Sequence, residues 1–173
     1  SGKLPMCFPR SVGQVPIYYN RKNTGRPGPK TKDEDVFWSG YNDEKHTPLY
    51  PFGYGLSYTD FKYSDLQVST DSEKKEVQVS VKVKNTGKLE GEEVVQLYLH
   101  DRVATVTRPI KELKGFDKIS LEAGESKTVE FTLTDKELGF YNNQGKVVVE
   151  VGDFKVMIGG SSETVLKEGF ELK

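Results

Sequence analysis

The sequence of 173 residues holds one cysteine, Cys7, so no internal disulfide can form. Its two histidines, His46 and His100, lie far apart and have no cysteine at metal-ligand spacing, so no metal site is expected. No apolar run approaches the ~18 residues of a membrane-spanning helix, and mean hydropathy is −0.60. An excess of one charge is also missing. Lys and Arg number 25 against 26 Asp and Glu, for a net charge of −1, so no polyanion partner is implied, whereas a strong nucleic-acid binder should show a basic excess on some face. No cationic-then-apolar leader opens the sequence, so no signal peptide is expected in it. Neither a Walker loop nor a dinucleotide fingerprint occurs; Gly53-x-Gly55 sits among aromatics and is not followed by a helical pattern. No cofactor, nucleic acid or membrane is expected as a partner.

Proline divides what is present. Seven of the eight prolines precede residue 60, and only Pro109 follows, which marks a boundary. Ten of the 19 aromatic residues lie in the same first third. Prolines at this density remove backbone donors and fix φ, so neither a long helix nor a central strand can form there. Disordered linkers are poor in aromatics. The segment therefore reads as an extended arm that lies down on something, with too little regular structure to bury its rings against itself.

Beyond residue 60 the pattern becomes period-2 alternation. Val77, Val79, Val81 and Val83 alternate with polar residues, the mark of a half-buried strand. Further runs carry Val95, Leu97 and Leu99; Val129, Phe131 and Leu133; residues 146–151; and Phe154, Val156 and Ile158, stopped by Gly159-Gly160. Weaker strands are expected at 62–69, 110–119 and 164–172. Short strands at this spacing predict an all-β fold, an immunoglobulin-like β-sandwich preceded by the arm. Thr134-Asp135-Lys136-Glu137-Leu138, ended by Gly139, predicts one capped helical turn.

No catalytic constellation stands out. Glu92-Glu93, Asp33-Glu34-Asp35 and Asp43-Glu44 are adjacent carboxylates, and neighbours on a strand point to opposite faces, so they cannot converge on one glycosidic bond. They are expected to be solvated surface charge. His100 is expected as an exposed strand end. Cys7 has no basic cluster or histidine base beside it in sequence, so nucleophilic catalysis is not expected. The densest cluster runs Pro48-Leu49-Tyr50-Pro51-Phe52-Gly53-Tyr54-Gly55-Leu56-Ser57-Tyr58. It reads as a packed corner where the arm enters the sandwich, with its glycines admitting close backbone approach. The alternative is a sugar-stacking surface. If the segment is extended, Tyr50, Phe52 and Tyr54 share one face.

Gly2-Lys3-Leu4-Pro5, Phe8-Pro9-Arg10-Ser11-Val12-Gly13-Gln14-Val15-Pro16, Tyr18-Tyr19-Asn20 and Thr24-Gly25-Arg26-Pro27 resemble the C-terminal part of family 3 glycoside hydrolases, most nearly the bacterial periplasmic β-glucosidases among them. Residues 48–59 resemble the family's junction before its terminal fibronectin type III-like domain. Asn85-Thr86-Gly87, Gly91, Gln96-Leu97-Tyr98, Arg108-Pro109 and Leu113-Lys114-Gly115-Phe116 fit that domain.

The resemblance implies that residues 1–59 are the last strand of an α/β sandwich domain plus a wrapping arm, and that 60–173 are the fibronectin type III-like domain. It implies a parent enzyme that hydrolyses terminal β-linked glucose with retention, through a glycosyl-enzyme intermediate. The family's nucleophilic aspartate is typically followed by tryptophan. Here the one tryptophan, Trp38, follows Phe37, and Ser64-Asp65-Leu66 is a poor imitation. Both catalytic carboxylates are expected upstream, leaving this chain a catalytically silent C-terminal fragment that positions the catalytic domains. Its partners would be those domains and, through the parent, an oligosaccharide or glycoside. Severed from them, the arm would be sticky, partly disordered or self-associated. Tyr18, Tyr19, Tyr50, Phe52, Tyr54 and Tyr58 are expected to pack between domains; Trp38, Tyr41 and Asp43 are the candidates for facing substrate. A periplasmic or secreted location follows from the same resemblance. The alternatives are an independent carbohydrate-binding module, with Trp38 and the tyrosines as its platform, and an oligomerisation module using a sandwich edge strand.

Overall fold

The computed structural model describes residues 2–23, 44–71 and 76–173. Where the sequence alternates, it pairs. Strands β1 (Phe61–Asp71), β2 (Glu76–Asn85) and β5 (Ser126–Leu133) form a three-stranded antiparallel sheet in the order β1-β2-β5. Strands β3 (Gly91–Asp101), β4 (Glu112–Leu121), β8 (Gly152–Gly159) and β9 (Leu166–Leu172) form the second, in the order β4-β3-β8-β9. A two-residue ladder joins β6 (Phe140–Tyr141) to β7 (Val147–Val148).

The sheets pack face to face as a β-sandwich. From β2 come Val77, Val79, Val81 and Val83; from β3 Val95, Leu97 and Leu99; and from β8 Phe154, Val156 and Ile158, all buried in one cluster. Alternation makes this possible, because every second side chain of a strand points to the same face. β-Branched valine also suits the pleated, half-buried surface.

The short helix α1 (Asp135–Leu138) forms at the predicted place. The Thr134 side chain accepts from the Lys136 N–H, and the Glu137 carboxylate accepts from the Thr134 N–H, closing the helix N-terminus reciprocally.

Two expectations need correction. The run at 146–151 yields only the two-residue β7: Val149 packs against the core, but Val151 is exposed and unladdered. Its partner, β6, is itself two residues long, so nothing extends the pairing. His100 is not an exposed end. It lies within β3, half-buried and paired across to Lys155. Burial, with Arg102 and Lys155 nearby, holds its imidazole below the usual range.

Candidate functional site

The described part of the arm is two limbs zipped together. The Leu4 N–H donates to the Tyr54 carbonyl and the Gly53 N–H to the Leu4 carbonyl, each at 2.8 Å. Farther along, the Phe8 N–H bonds the Tyr50 carbonyl, and the Leu49 N–H returns to the Phe8 carbonyl. At the far end Gln14, 2% exposed, accepts from the Arg10 N–H and donates to the Lys45 carbonyl. The Arg10 guanidinium donates to the Thr47 carbonyl. Prolines deny these limbs a regular ladder, and side chains such as Gln14 supply the missing partners.

The zipped arm lies on the outer face of the four-stranded sheet. Tyr19 stacks on Phe52 with ring centroids 4.2 Å apart, and its edge meets Tyr98 of β3 at 5.8 Å. Burial raises the phenol pKa of both Tyr19 and Tyr98, so both stay neutral, and the Tyr98 hydroxyl donates. Gln96, 3% exposed, donates from one amide nitrogen to the Gly53 carbonyl and to the Gly160 carbonyl, while its oxygen accepts from the Tyr98 hydroxyl. A Cβ on Gly53, whose φ is +77°, would sit 2.1 Å from the Gln96 oxygen. The Ser162 N–H bonds the Phe52 carbonyl, Lys111 donates to the Ser162 carbonyl, and the Ile110 N–H bonds the Arg21 carbonyl.

Where the arm enters the sandwich, Asn85 is fully buried and fully engaged. Its oxygen accepts from the Thr59 hydroxyl and the Gly87 N–H; its nitrogen donates to the carbonyls of Leu89 and Leu121.

The rings named from the sequence separate into two groups. Tyr19 and Phe52 turn inward onto the sandwich. Tyr50 and Tyr54 lie 5.1 Å apart, with Phe8 edge-on to Tyr50, along a groove of about 610 Å³ that Leu4 and Leu56 also line. Tyr18 and Tyr58 are 63% and 97% exposed. The shared face expected for Tyr50, Phe52 and Tyr54 therefore fails. The backbone turns there, with the Tyr54 N–H bonded to the Pro51 carbonyl, so Phe52 points away from its neighbours. The arm was expected to have too little regular structure to bury its rings against itself; Tyr19 nonetheless stacks on Phe52 within it, and the pair lies down on Tyr98 of the sandwich. Trp38, Tyr41 and Asp43 lie outside the described residues.

The adjacent carboxylates at Glu92 and Glu93 are corrected in part. Glu92 is surface charge: Lys118 bonds it at 2.7 Å and lowers its pKa. Glu93 is 7% exposed, accepting from Lys3 at 3.3 Å and from the Tyr63 hydroxyl at 2.8 Å. Burial and the Glu93 charge push the Tyr63 phenol far up, so it remains a donor. Between β3 and β4, Arg108 lies over the Phe140 ring, bonds Glu112 and faces Asp101 across 3.9 Å. Burial raises the Asp101 carboxyl. Among the described residues no three His, Cys, Asp or Glu side chains converge as a metal-binding group.

This arrangement can hold one segment rigidly against another and leave an apolar strip outward. Gln14, Asn85, Glu93 and Gln96 carry it. Each is a polar residue whose burial has no signal of its own in the sequence, though Gln14, Asn85 and Gln96 stand inside the quoted motifs.

Known proteins are similar to this chain along almost its whole length. The fibronectin type III-like domain family matches residues 93–162. A periplasmic β-glucosidase of Salmonella typhimurium is 51% identical over 99% of this chain, which covers 23% of that protein. A putative β-xylosidase of Formosa agariphila is 47% identical over 100% of this chain and 22% of that protein. A crystal structure of β-glucosidase from Listeria innocua in complex with glucose superposes with a TM-score of 0.89 at 44% identity, over 98% of this chain and 24% of that one. The chain thus spans about a quarter of the length of these relatives.

Proposed function

Because the chain matches the C-terminal part of family 3 β-glucosidases along almost its whole length, we propose that it is the non-catalytic C-terminal part of such an enzyme. The parent hydrolyses terminal β-glucosyl residues with retention, in the periplasm or outside the cell, and both catalytic carboxylates lie in the remaining three-quarters. This piece braces the catalytic domains.

The observation that carries the reading is the two-sided arm. One side is fixed to the sandwich through Tyr19, Phe52 and Gln96. The other presents Phe8, Tyr50 and Leu56 along one groove, and Val12, Val15, Tyr18 and Tyr58 are exposed on the arm as well, all more than two-fifths exposed. Exposed apolar surface of that kind marks a covered interface. Burying large apolar side chains at ~1.5–3 kcal/mol each would hold the module in one orientation on its neighbours. Kept apart from them, the arm would be sticky, partly disordered or covered by self-association.

Complementation tests this. A family 3 β-glucosidase truncated before the segment equivalent to Ser1 is expected to lose turnover of an aryl β-glucoside. Adding this chain, inactive by itself, is expected to restore it. A truncated enzyme with full activity would remove the bracing role.

A further inference from the structure

Gly2-Lys3-Leu4-Pro5 is a sequence motif that bracing alone does not account for. Lys3 reaches from the first limb of the arm to the sandwich, where its ammonium donates to the Glu93 carboxylate at 3.3 Å and to the Gly160 carbonyl at 3.0 Å. Glu93, 90 positions away, accepts from Tyr63 with its other oxygen. The Gly160 carbonyl also accepts from Gln96, which in turn holds Gly53 of the second limb. One polar network therefore ties both limbs, β1, β3 and the β8–β9 turn.

The backbone leaves room for this network at two places. A Cβ on Gly55 would lie 2.4 Å from the Gly2 carbonyl oxygen and 2.8 Å from Lys3 Cδ. A Cβ on Gly160 would lie 2.2 Å from Glu93 Oε1. The first glycine lets the lysine stem pass, and the second gives the carboxylate its seat. Among the described residues Lys3 is the one cation within ion-pair distance of Glu93. A buried carboxylate stripped of its one countercharge is strongly disfavoured.

We propose that Glu93 is a positioning residue that fixes Lys3, and so the path of the chain at its first described residues, from within the sandwich. Backbone pairing between the limbs holds them to each other, and the Glu93–Lys3 pair sets where the zipped arm begins on the module. In the larger enzyme this pair would set how the module is aligned on the segment before it; that consequence rests on the reading under Proposed function, while the pair itself does not.

Amide exchange in this chain is the test, with the Leu4 and Gly53 amides as reporters and those of Phe8 and Leu49 as controls. Lys3→Met keeps the aliphatic stem and removes the charge. It is expected to speed exchange at Leu4 and Gly53 by about tenfold while Phe8, Leu49 and the core valines keep their rates. Lys3→Arg, which keeps the charge, is expected to restore protection to within about threefold of the parent rate. In a Glu93→Gln background, Lys3→Met should add less than about twofold, because the partner is already gone. The proposal is overturned if Lys3→Met leaves both reporters unchanged, if Lys3→Arg is as poorly protected as Lys3→Met, or if the two substitutions act additively. Should Glu93→Gln fail to fold, the Lys3 pair of variants decides alone. Failure of complementation with a normal exchange response would strike the bracing role and spare this pair.

Discussion

The sandwich and the arm bury apolar side chains by different means. In the sandwich, burial follows from regularity: valines two apart along β2 all reach the same core, and the ladder satisfies the backbone. In the arm, prolines prevent a ladder, so each contact is made separately, by Gln14 across the limbs, Gln96 to Gly53, and Tyr19 on Phe52. A regular sheet shares its stability among many interchangeable contacts. The arm depends on scattered backbone bonds between its limbs and a few individual side-chain contacts. Local opening is therefore expected to start in the arm while the sandwich stays closed.

The largest expected effect breaks both regions at once. Asn85→Ala would leave the Thr59 hydroxyl, the Gly87 N–H and the carbonyls of Leu89 and Leu121 without their partner. Unpaired buried groups cost ~1–3 kcal/mol each before water or relaxation helps, so a loss of about 3 kcal/mol is expected in urea unfolding. Exchange should rise in arm and sandwich together. If only the arm responds, the junction is not shared between them.

A smaller change should separate the regions. Phe52→Ala removes the stack on Tyr19, and with it about 1–2 kcal/mol of arm docking from ring contact and lost apolar area. Near-ultraviolet circular dichroism should report a loosened Tyr19, and the Ser162 amide should lose protection. The urea midpoint of the sandwich should barely move. A midpoint that falls as far as with Asn85→Ala would mean that the arm is part of the sandwich's cooperative unit.

The smallest effect belongs to the sandwich alone and depends on pH. An unfolded histidine titrates near 6.5, whereas burial, with Arg102 and Lys155, lowers the folded value of His100. Between those two values the unfolded chain binds the extra proton. Stability from this group is therefore complete above about pH 6.5 and declines as pH falls through the folded value. His100→Gln should flatten the stability slope between about pH 7 and 5. An unchanged slope would assign it to other groups.

Much of the sandwich was legible because period-2 alternation is a property of neighbouring residues. The strands around Val81, Leu97, Phe131 and Ile158 appear where the pattern places them, and so does the capped turn at Thr134. The run at 146–151 shows the limit: a strand needs a partner, and β6 offers two residues. The lack of regular strands in the described part of the arm was also legible, since proline acts locally. Its inner and outer rings were not. Tyr18 and Tyr19 are adjacent and alike, yet one is exposed and the other stacks on Phe52.

The sequence by itself therefore determined the strands and the resemblance to family 3 enzymes, because both are written in contiguous residues. Tertiary structure alone decided which rings face inward, that His100 is half-buried, and that Glu93 is enclosed while Glu92 meets solvent. A side chain's burial depends on what arrives from elsewhere in the chain. For Glu93 that is a lysine 90 positions away, carried there by an arm whose turn at Phe52 no local pattern announces.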